Sequence, residues 1–238
     1  DTDRSRGLGD VYKRQLVNNI FKNTIRRIIM DGIIFDVDGT LWDSVEVVAE
    51  SWNLAIKENS DLEPNLNREI LQGLFGKTMD EIAAGVFPDL DPDSRRKLMD
   101  ICFDYENRYL ETHPGVYYEG VMDTLKELAL EYPLFIVSNC QCGYIEVMMK
   151  GAGMEPYIKD FLCFGQTQTS KDQTILKLME KNNLTSPVYV GDTQGDADSC
   201  KKAGVPFIFA EYGLGDVKED YPTIHSFSEL KNILRELD

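Results

Sequence analysis

The most informative part of the sequence is Asp31-Gly32-Ile33-Ile34-Phe35-Asp36-Val37-Asp38-Gly39-Thr40-Leu41-Trp42-Asp43-Ser44. Its apolar run, residues 33–37, is too short for a typical helix and is rich in branched and aromatic side chains, which is typical of a buried strand in a parallel sheet. Alternate side chains of a strand share one face, so Asp36 and Asp38 start on the same side, where open α/β sheets bind ligands. Two carboxylates this close repel each other unless a cation lies between them or one is protonated. The stretch therefore predicts a strand that delivers an active site.

The composition predicts a globular protein that acts on small molecules. The chain has 238 residues, 42% of them apolar, which is enough for one large domain or for a core with an insertion. Its formal net charge of −16 disfavours a nucleic-acid partner or an anionic membrane surface. No apolar run approaches the roughly 18 residues of a membrane span. The five cysteines are odd in number, and we interpret them as reduced thiols of a cytoplasmic protein.

Residues 1–29 differ in character from the rest of the chain. Residues 1–15 lack hydrophobic periodicity, and the segment carries seven Lys/Arg against three Asp/Glu in an otherwise acidic protein. We expect a dispensable leader that is non-native or disordered, with Met30 as the natural start. A basic targeting arm and an expression scar are the alternatives, and the absence of a clean apolar segment with a small-residue cleavage site disfavours a secretory signal.

Hydrophobic spacing divides the remaining chain into two regions. Between residues 45 and 113 apolar side chains recur at helical spacing and no strand pattern interrupts them, so we expect an inserted helical cap. From Gly115 onward short strands alternate with helices, which calls for parallel pairing with right-handed crossovers. The predicted fold is α/β, with a Rossmann-like parallel core formed by residues 30–44 and 114–238. The later strands of the core are expected at 134–137, 161–164, 188–190 and 207–210.

Three further segments carry polar groups in the manner of the first strand end. Ser138-Asn139 follows one predicted strand, Gly191-Asp192-Thr193-Gln194-Gly195-Asp196 follows another, and Ser170-Lys171 opens a helix. Because parallel strands end at one edge of the sheet, these groups can converge with the first two acids. Carboxylates from two strand ends suit Mg²⁺, while a hydroxyl, backbone N–H groups and an ammonium suit a phosphate.

Each of these signals has a structural alternative when it is taken alone. An Asp-Gly pair commonly forms a turn, Ser-Asn after a strand is common in loops, and a lysine in a first helical turn is usually solvated. Asp192 and Asp196 could simply cap the helix at Gly195, because carboxylates favour helix N-termini. Their order along the chain, each at a strand exit or a helix start, favours a joint site.

With DVDGT, a serine after the second apolar strand, a lysine and GDTQGD in this order, the chain from Met30 to Asp238 resembles the hydrolases of the haloacid dehalogenase superfamily. The resemblance implies that Asp36 is a nucleophile that forms an aspartyl phosphate. It implies that Asp38 protonates the leaving group and then activates water.

The same resemblance implies the remaining ligands of the site. Asp192 would complete a Mg²⁺ site with Asp36 and the backbone carbonyl of Asp38, and Asp196 would support the metal directly or through water. The phosphoryl oxygens would be held by Ser138, Asn139 and Lys171.

The helical insertion resembles the type 1 cap of the phosphoglycolate-phosphatase and β-phosphoglucomutase group. Such caps close over a small ligand and exclude water. Lys77, within the glycine-containing stretch 73–78, is the candidate for contacting the non-phosphate end of a substrate, and a solvated lysine beside a helix start is its alternative. We therefore expect a Mg²⁺-dependent cytoplasmic phosphatase, a monomer or weak homodimer, acting on a small phosphate ester.

Other functions remain open at this point. A sugar phosphomutase would use the same core and both aspartates, Asp36 and Asp38. A non-catalytic protein that binds a phosphate ligand is disfavoured, because it would gain nothing from keeping both acids. Dehalogenation is disfavoured because that branch of the family lacks the second acid, and cleavage of a phosphonate C–C bond would need a Schiff-base lysine in the cap.

Overall fold

A computed structural model describes residues 30–237. The predicted leader at 1–29 lies outside the described residues. In chain order the strands are β1 (Gly32–Phe35), β2 (Trp42–Asp43), β3 (Val116–Tyr117), β4 (Leu134–Ser138), β5 (Ile158–Cys163), β6 (Pro187–Gly191), β7 (Phe207–Ala210) and β8 (Thr223–Ile224). Six of them form one parallel sheet in the order β5-β4-β1-β6-β7-β8.

Helices cover the sheet and fill the insertion. They are α1 (Val45–Asn59), α2 (Arg68–Gln72), α3 (Met79–Val86), α4 (Pro92–Leu110), α5 (Val121–Leu128), α6 (Tyr144–Ala152), α7 (Phe164–Thr167), α8 (Lys171–Asn182), α9 (Gln194–Ala203) and α10 (Leu230–Leu237), which follows a 3₁₀ turn at Phe227–Glu229. Among the described residues, no helix combines the length and the apolar character needed to cross a membrane. The predicted α/β fold, a parallel core with a helical insertion, is confirmed.

Strand β1 lies at the centre of the sheet, between β4 and β6. Its four residues are buried, because the helices on both faces leave no side of a central parallel strand in contact with solvent. The strand ends at Phe35, two residues before the predicted end. The carbonyl of Val37 accepts hydrogen bonds from the backbone N–H groups of Thr40, Leu41 and Trp42, which turn the chain away from the sheet directly after the strand.

The four helices α1 to α4 pack on one another around a cluster of their own. Its buried side chains include those of Trp52, Leu71, Met99 and Phe103. The insertion is joined to the core through a short antiparallel ribbon of β2 and β3, which the sequence did not predict. Each ribbon strand has only two residues, too few to show an alternating pattern. The domain boundaries at residues 45 and 113 stay a prediction.

The edge strand β5 begins earlier than predicted, at residue 158 instead of 161. Lys159 and Asp160 lie in its first half, and the strand is only partly buried because it pairs on one side alone. These polar residues of the edge strand interrupt the apolar run from which the strand was predicted, so its predicted start was too late.

Candidate active site

The carboxyl ends of β1, β4 and β6 bring the predicted polar residues to one edge of the sheet. A cavity of about 50 Å³ opens there between the core and the insertion. Six of the predicted site residues line it: Asp36, Asp38, Lys77, Ser138, Asn139 and Lys171. The other two predicted residues, Asp192 and Asp196, are buried and do not line the cavity.

Lys171 joins two of the predicted acids. Its ammonium donates hydrogen bonds to Asp36 Oδ1 at 2.7 Å and to Asp196 Oδ1 at 2.6 Å, and all three side chains are buried. Burial by itself would lower the pKa of Lys171, but the charges of Asp196 and Asp36 outweigh it, and the pKa is raised. The lysine is therefore cationic. It lies in the first turn of α8, but its side chain is buried, so the alternative of a solvated lysine does not apply.

Three buried carboxyl groups lie close together, and this single ammonium pairs with only two of them. Asp36, Asp192 and Asp196 each place an oxygen within 4.8 Å of the other two. Burial raises the pKa of Asp36 to about 7, although the charge of Lys171 opposes the shift. Burial also raises the pKa of Asp192 well above its ordinary value, and the charge of Asp196 adds to it. The cluster thus lacks positive charge, since one cation cannot neutralise three carboxylates.

Within residues 30–237, only one of the two carboxylate oxygens of Asp192 has hydrogen-bond partners. Its Oδ2 accepts hydrogen bonds from the backbone N–H groups of Leu214 and Gly215, at 2.7 and 3.2 Å. Its Oδ1 is one of the two buried side-chain nitrogen or oxygen atoms of the described residues that have no hydrogen-bond partner. A buried carboxylate oxygen without a donor is costly unless a cation binds it. Hard oxygen ligands around a deficit of positive charge fit Mg²⁺.

Gly39 provides the space that this arrangement needs. A Cβ atom at residue 39 would lie 2.0 Å from Asp192 Oδ2, and the backbone φ of +83° is one that side chains other than glycine rarely adopt. The glycine of the DVDGT stretch is therefore required both by the turn and by the close approach of the buried acid.

Asp196 caps a helix and also contacts Lys171 of the site. Its Oδ2 accepts hydrogen bonds from the Thr193 backbone at 3.0 Å and from the Thr193 hydroxyl at 2.6 Å, and the Thr193 hydroxyl accepts in return from the Asp196 N–H. This reciprocal pair is a capping box at the start of α9. The other oxygen faces Lys171, so the cap also fixes the position of the acid in the site.

The side chain of Asp38 is held apart from the buried acid cluster. Its Oδ1 accepts hydrogen bonds from Trp42 Nε1 at 3.1 Å, from Ser44 Oγ at 2.8 Å and from the Tyr144 hydroxyl at 2.6 Å. Burial raises the pKa of Asp38 to about 6, although these three donors favour the ionised form. The raised value suits a group that gives up and regains a proton near neutral pH.

Asn139 and Lys77 are placed where the core meets the insertion. Asn139 Nδ2 donates to the backbone carbonyl of Gly76 at 3.0 Å, so this predicted phosphate ligand also ties the insertion to the core. Lys77 is exposed at the margin of the cavity. Ser138, at the end of β4, is buried and faces the cavity.

Sequence reasoning missed three elements of the site. They are Tyr144, which binds Asp38, the turn 213–215, which binds Asp192, and Glu106, which lines the cavity from α4. Two glycines closely following a strand were a usable signal for the turn, because they mark a close backbone approach. Tyr144 and Glu106 lie within ordinary helical patterns and gave no local signal.

Comparison with known families shows one extended match. The model of a family described as haloacid dehalogenase-like hydrolase matches residues 33–210. A phosphoglycolate phosphatase of Rhodobacter capsulatus is 23% identical over 211 residues, which are 85% of this chain and 95% of that protein.

Solved structures of the same architecture are also found. A predicted phosphoglycolate phosphatase from Haemophilus somnus has a TM-score of 0.75 at 22% identity, covering 88% of this chain and 99% of that one. CbbY from Rhodobacter sphaeroides, crystallised with xylulose-(1,5)bisphosphate, has a TM-score of 0.70 at 16% identity, covering 85% and 96%. At these identities the structural likeness concerns the fold.

Proposed function

The chain belongs to the haloacid dehalogenase-like hydrolase family and is a phosphatase-type hydrolase, and we propose that it hydrolyses a small phosphorylated metabolite through an aspartyl phosphate on Asp36. One observation carries the proposal. Asp36 and Asp38 open into the same small cavity, and Lys171 lines that cavity beside them.

In the first step a carboxylate oxygen of Asp36 attacks phosphorus, and the bond from phosphorus to the ester oxygen breaks. The leaving oxygen takes a proton from Asp38, whose raised pKa allows a protonated fraction near neutral pH. An aspartate can act as the nucleophile without a base, because it is the ionised form that attacks. The ion pair with Lys171 favours that form against the effect of burial.

In the second step water attacks the phosphorus of the aspartyl phosphate and gives up a proton to the carboxylate of Asp38. The bond to Asp36 breaks, inorganic phosphate leaves, and both aspartates return to their starting states. Tyr144, Ser44 and Trp42 keep Asp38 in place for both proton transfers. Phosphoryl transfer depends chiefly on such positioning and on neutralisation of charge.

The remaining polar residues would bind the phosphoryl group. Ser138 and Asn139 supply neutral donors at the end of β4, and Lys171 supplies a buried positive charge beside Asp36. We assign Asp36, Asp192 and the backbone carbonyl of Asp38 to a Mg²⁺ ion, with Asp196 in support. When bound, Mg²⁺ would neutralise charge on the phosphoryl oxygens.

The insertion would act as a cap that separates the reaction from bulk water. Its loop at Gly76 contacts Asn139 of the core, and Gln72 Nε2 donates to the Leu214 carbonyl at 3.2 Å. Lys77, exposed at the cavity margin, would contact the non-phosphate end of the substrate or guide the anionic ester inward. A cytoplasmic location and a monomeric or weakly dimeric state stay predictions.

Replacing the nucleophile tests the proposal. We expect Asp36→Asn to lower phosphate release from p-nitrophenyl phosphate and from a panel of phosphorylated metabolites by more than about a thousandfold, because the amide cannot form the phosphoenzyme. The assay measures phosphate with and without Mg²⁺ and examines the products for isomerised ester, which a phosphomutase would generate.

The matched control is Asp220→Asn, which removes the same charge from an exposed position. It should retain wild-type turnover, and circular dichroism should show the same fold for both variants. Appreciable turnover by Asp36→Asn would exclude this residue as the nucleophile.

A further inference from the structure

Glu106 is a buried acid inside the helical insertion. It lies near the end of α4, only 3% of its surface is exposed, and it lines the same cavity as Asp36 and Asp38. Among the described residues of α1 to α4, it is the only Asp, Glu, Lys or Arg that is buried. An acid in such a position is costly unless another group compensates it.

The protein compensates Glu106 only in part. Trp52 Nε1 donates to Glu106 Oε2 at 2.6 Å, and the Gln141 side chain also hydrogen-bonds to the carboxyl group. No lysine, arginine or histidine of the described chain forms an ion pair with it. Burial raises the pKa of Glu106 to about 8, and the charge of Asp38 raises it further against the effect of the two donors. The carboxyl group therefore has two neutral donors and no cationic partner among the described residues.

On the insertion side, the cavity wall around Glu106 is mainly apolar, and Lys77 is exposed at its margin. The insertion contributes mostly apolar and aromatic side chains to the cavity, namely Val48, Trp52, Phe75, Met79, Ile82 and Phe103. The leaving group of a phosphate ester bound at Asp36 would meet these side chains and would find one acidic group among them. A small pocket with one polar group on an apolar wall selects ligands by that group.

We propose that Glu106 is a specificity-determining residue, which selects phosphate monoesters whose leaving group carries a hydrogen-bond donor, an ammonium or a hydroxyl, and rejects those that end in a carboxylate. The proposal rests on the phosphatase function proposed above. A hydroxyl would add a hydrogen bond to the carboxyl group, and an ammonium would favour its ionised form by supplying the cation that it lacks. A carboxylate would bring an uncompensated negative charge to this buried wall near Asp38.

A purely structural role makes a different prediction. Glu106 connects Trp52 of α1 with Gln141 of the core, and its loss could loosen the contact between the insertion and the core. Such loosening would lower turnover of all esters together. Selectivity between esters of equal size would then stay unchanged, so the ratio of their kcat/KM values separates the two roles.

Four esters of nearly equal size form the test: ethanolamine phosphate, ethylene glycol monophosphate, ethyl phosphate and phosphoglycolate. For the wild-type enzyme with Mg²⁺ we expect kcat/KM for the ammonium or the hydroxyl ester to exceed that for phosphoglycolate by about tenfold or more. Comparison of the first two esters shows which donor is preferred. Ethyl phosphate reports the contribution of the apolar wall alone.

Variants then assign the preference to the residue. Glu106→Gln keeps an acceptor for Trp52 but removes the acid, and it should reduce the ratio of ethanolamine phosphate to phosphoglycolate by about tenfold. Glu106→Ala should remove the preference for both donors. The control is Asp104→Asn, which loses an exposed acid from the same helix and should leave every ratio unchanged. Circular dichroism verifies the fold of each variant.

The outcomes are distinguishable from failure of the proposed function. Wild-type preference for phosphoglycolate, lost on Lys77→Ala, would place specificity at the cavity margin and overturn the proposal. An unchanged ratio in folded Glu106→Gln, or hydrolysis of p-nitrophenyl phosphate without any of the four esters, would overturn it as well. Should the variants fail to fold, the order of the wild-type kcat/KM values for the four esters alone tests the proposal. Failure to hydrolyse any ester, p-nitrophenyl phosphate included, would defeat both proposals.

Discussion

Glu106 carries a carboxyl group whose ionisation opposes folding. Its pKa rises from an ordinary 4.5 to about 8 in the folded protein, first of all through burial. Between these values the folded chain keeps a proton that the unfolded chain has released. Because the unfolded state then binds fewer protons, this residue makes the free energy of unfolding fall as the pH rises from about 4.5 to about 8.

Glu106→Gln should remove this dependence, because an amide does not titrate. Relative to the variant, we expect the wild-type protein to lose about 1 to 3 kcal/mol of unfolding free energy between pH 5 and pH 8. Urea unfolding of both proteins across this range measures the difference, and titration of Asp36, Asp38 and Asp192 cancels because both proteins contain them. Asp104→Asn should show no such trend. A difference independent of pH would mean that Glu106 ionises normally.

At the scale of secondary-structure elements, the start of α9 links a helix cap to the chemistry. The Thr193 hydroxyl binds both the backbone N–H and the carboxylate of Asp196, whose other oxygen binds Lys171. One local motif thus begins a helix and orients two groups of the site. Helix formation and the geometry of the acid cluster depend on the same hydroxyl.

Thr193→Ala should therefore affect stability and turnover together. We expect a loss of about 1 kcal/mol of unfolding free energy from the missing cap, and a decrease in kcat of about tenfold because Asp196 no longer fixes Lys171. Urea unfolding and steady-state kinetics measure the two effects. Asp91→Ala is the matched control, since Asp91 caps α4 through the N–H groups of Asp93 and Ser94 far along the chain from these residues. Equal kcat values for both variants would argue against the positioning role of Thr193.

At the scale of the whole molecule, charge opposes the approach of the proposed substrate. The chain has a formal net charge of −16, and a phosphate monoester is itself an anion near neutral pH. Repulsion over this distance is screened by salt, since the Debye length falls from about 30 Å at 0.01 M to about 8 Å at 0.15 M ionic strength. Attraction to the buried site must overcome this wider repulsion.

We therefore expect kcat/KM to rise by a few-fold between about 0.01 M and 0.15 M ionic strength, with kcat unchanged, because screening assists encounter and leaves the enclosed chemistry unaffected. Mg²⁺ is held at a saturating concentration throughout. Sodium chloride and potassium acetate should give the same curve if screening is the cause. A fall in kcat/KM with salt would show that local positive charge, at Lys77 and Lys171, controls encounter.

The central strand, the α/β class and the helical insertion are predictable from the sequence. These follow from local patterns: a short apolar run before two acids, helical spacing over residues 45–113, and strands alternating with helices thereafter. The polar residues that meet at one edge of the sheet are also predictable, because parallel strands end on a common side. The catalytic and binding roles of those residues stay predictions.

The pairing of these groups, in contrast, depends on the tertiary fold. Lys171 lies 135 residues from Asp36, and Tyr144 lies 106 residues from Asp38, so no local pattern could specify these contacts. The burial of Glu106 likewise depends on Trp52, 54 residues away, and on the core. Hydrogen bonds and pKa shifts depend on which distant side chains surround a group, and packing of the cap against the sheet is what brings those side chains together.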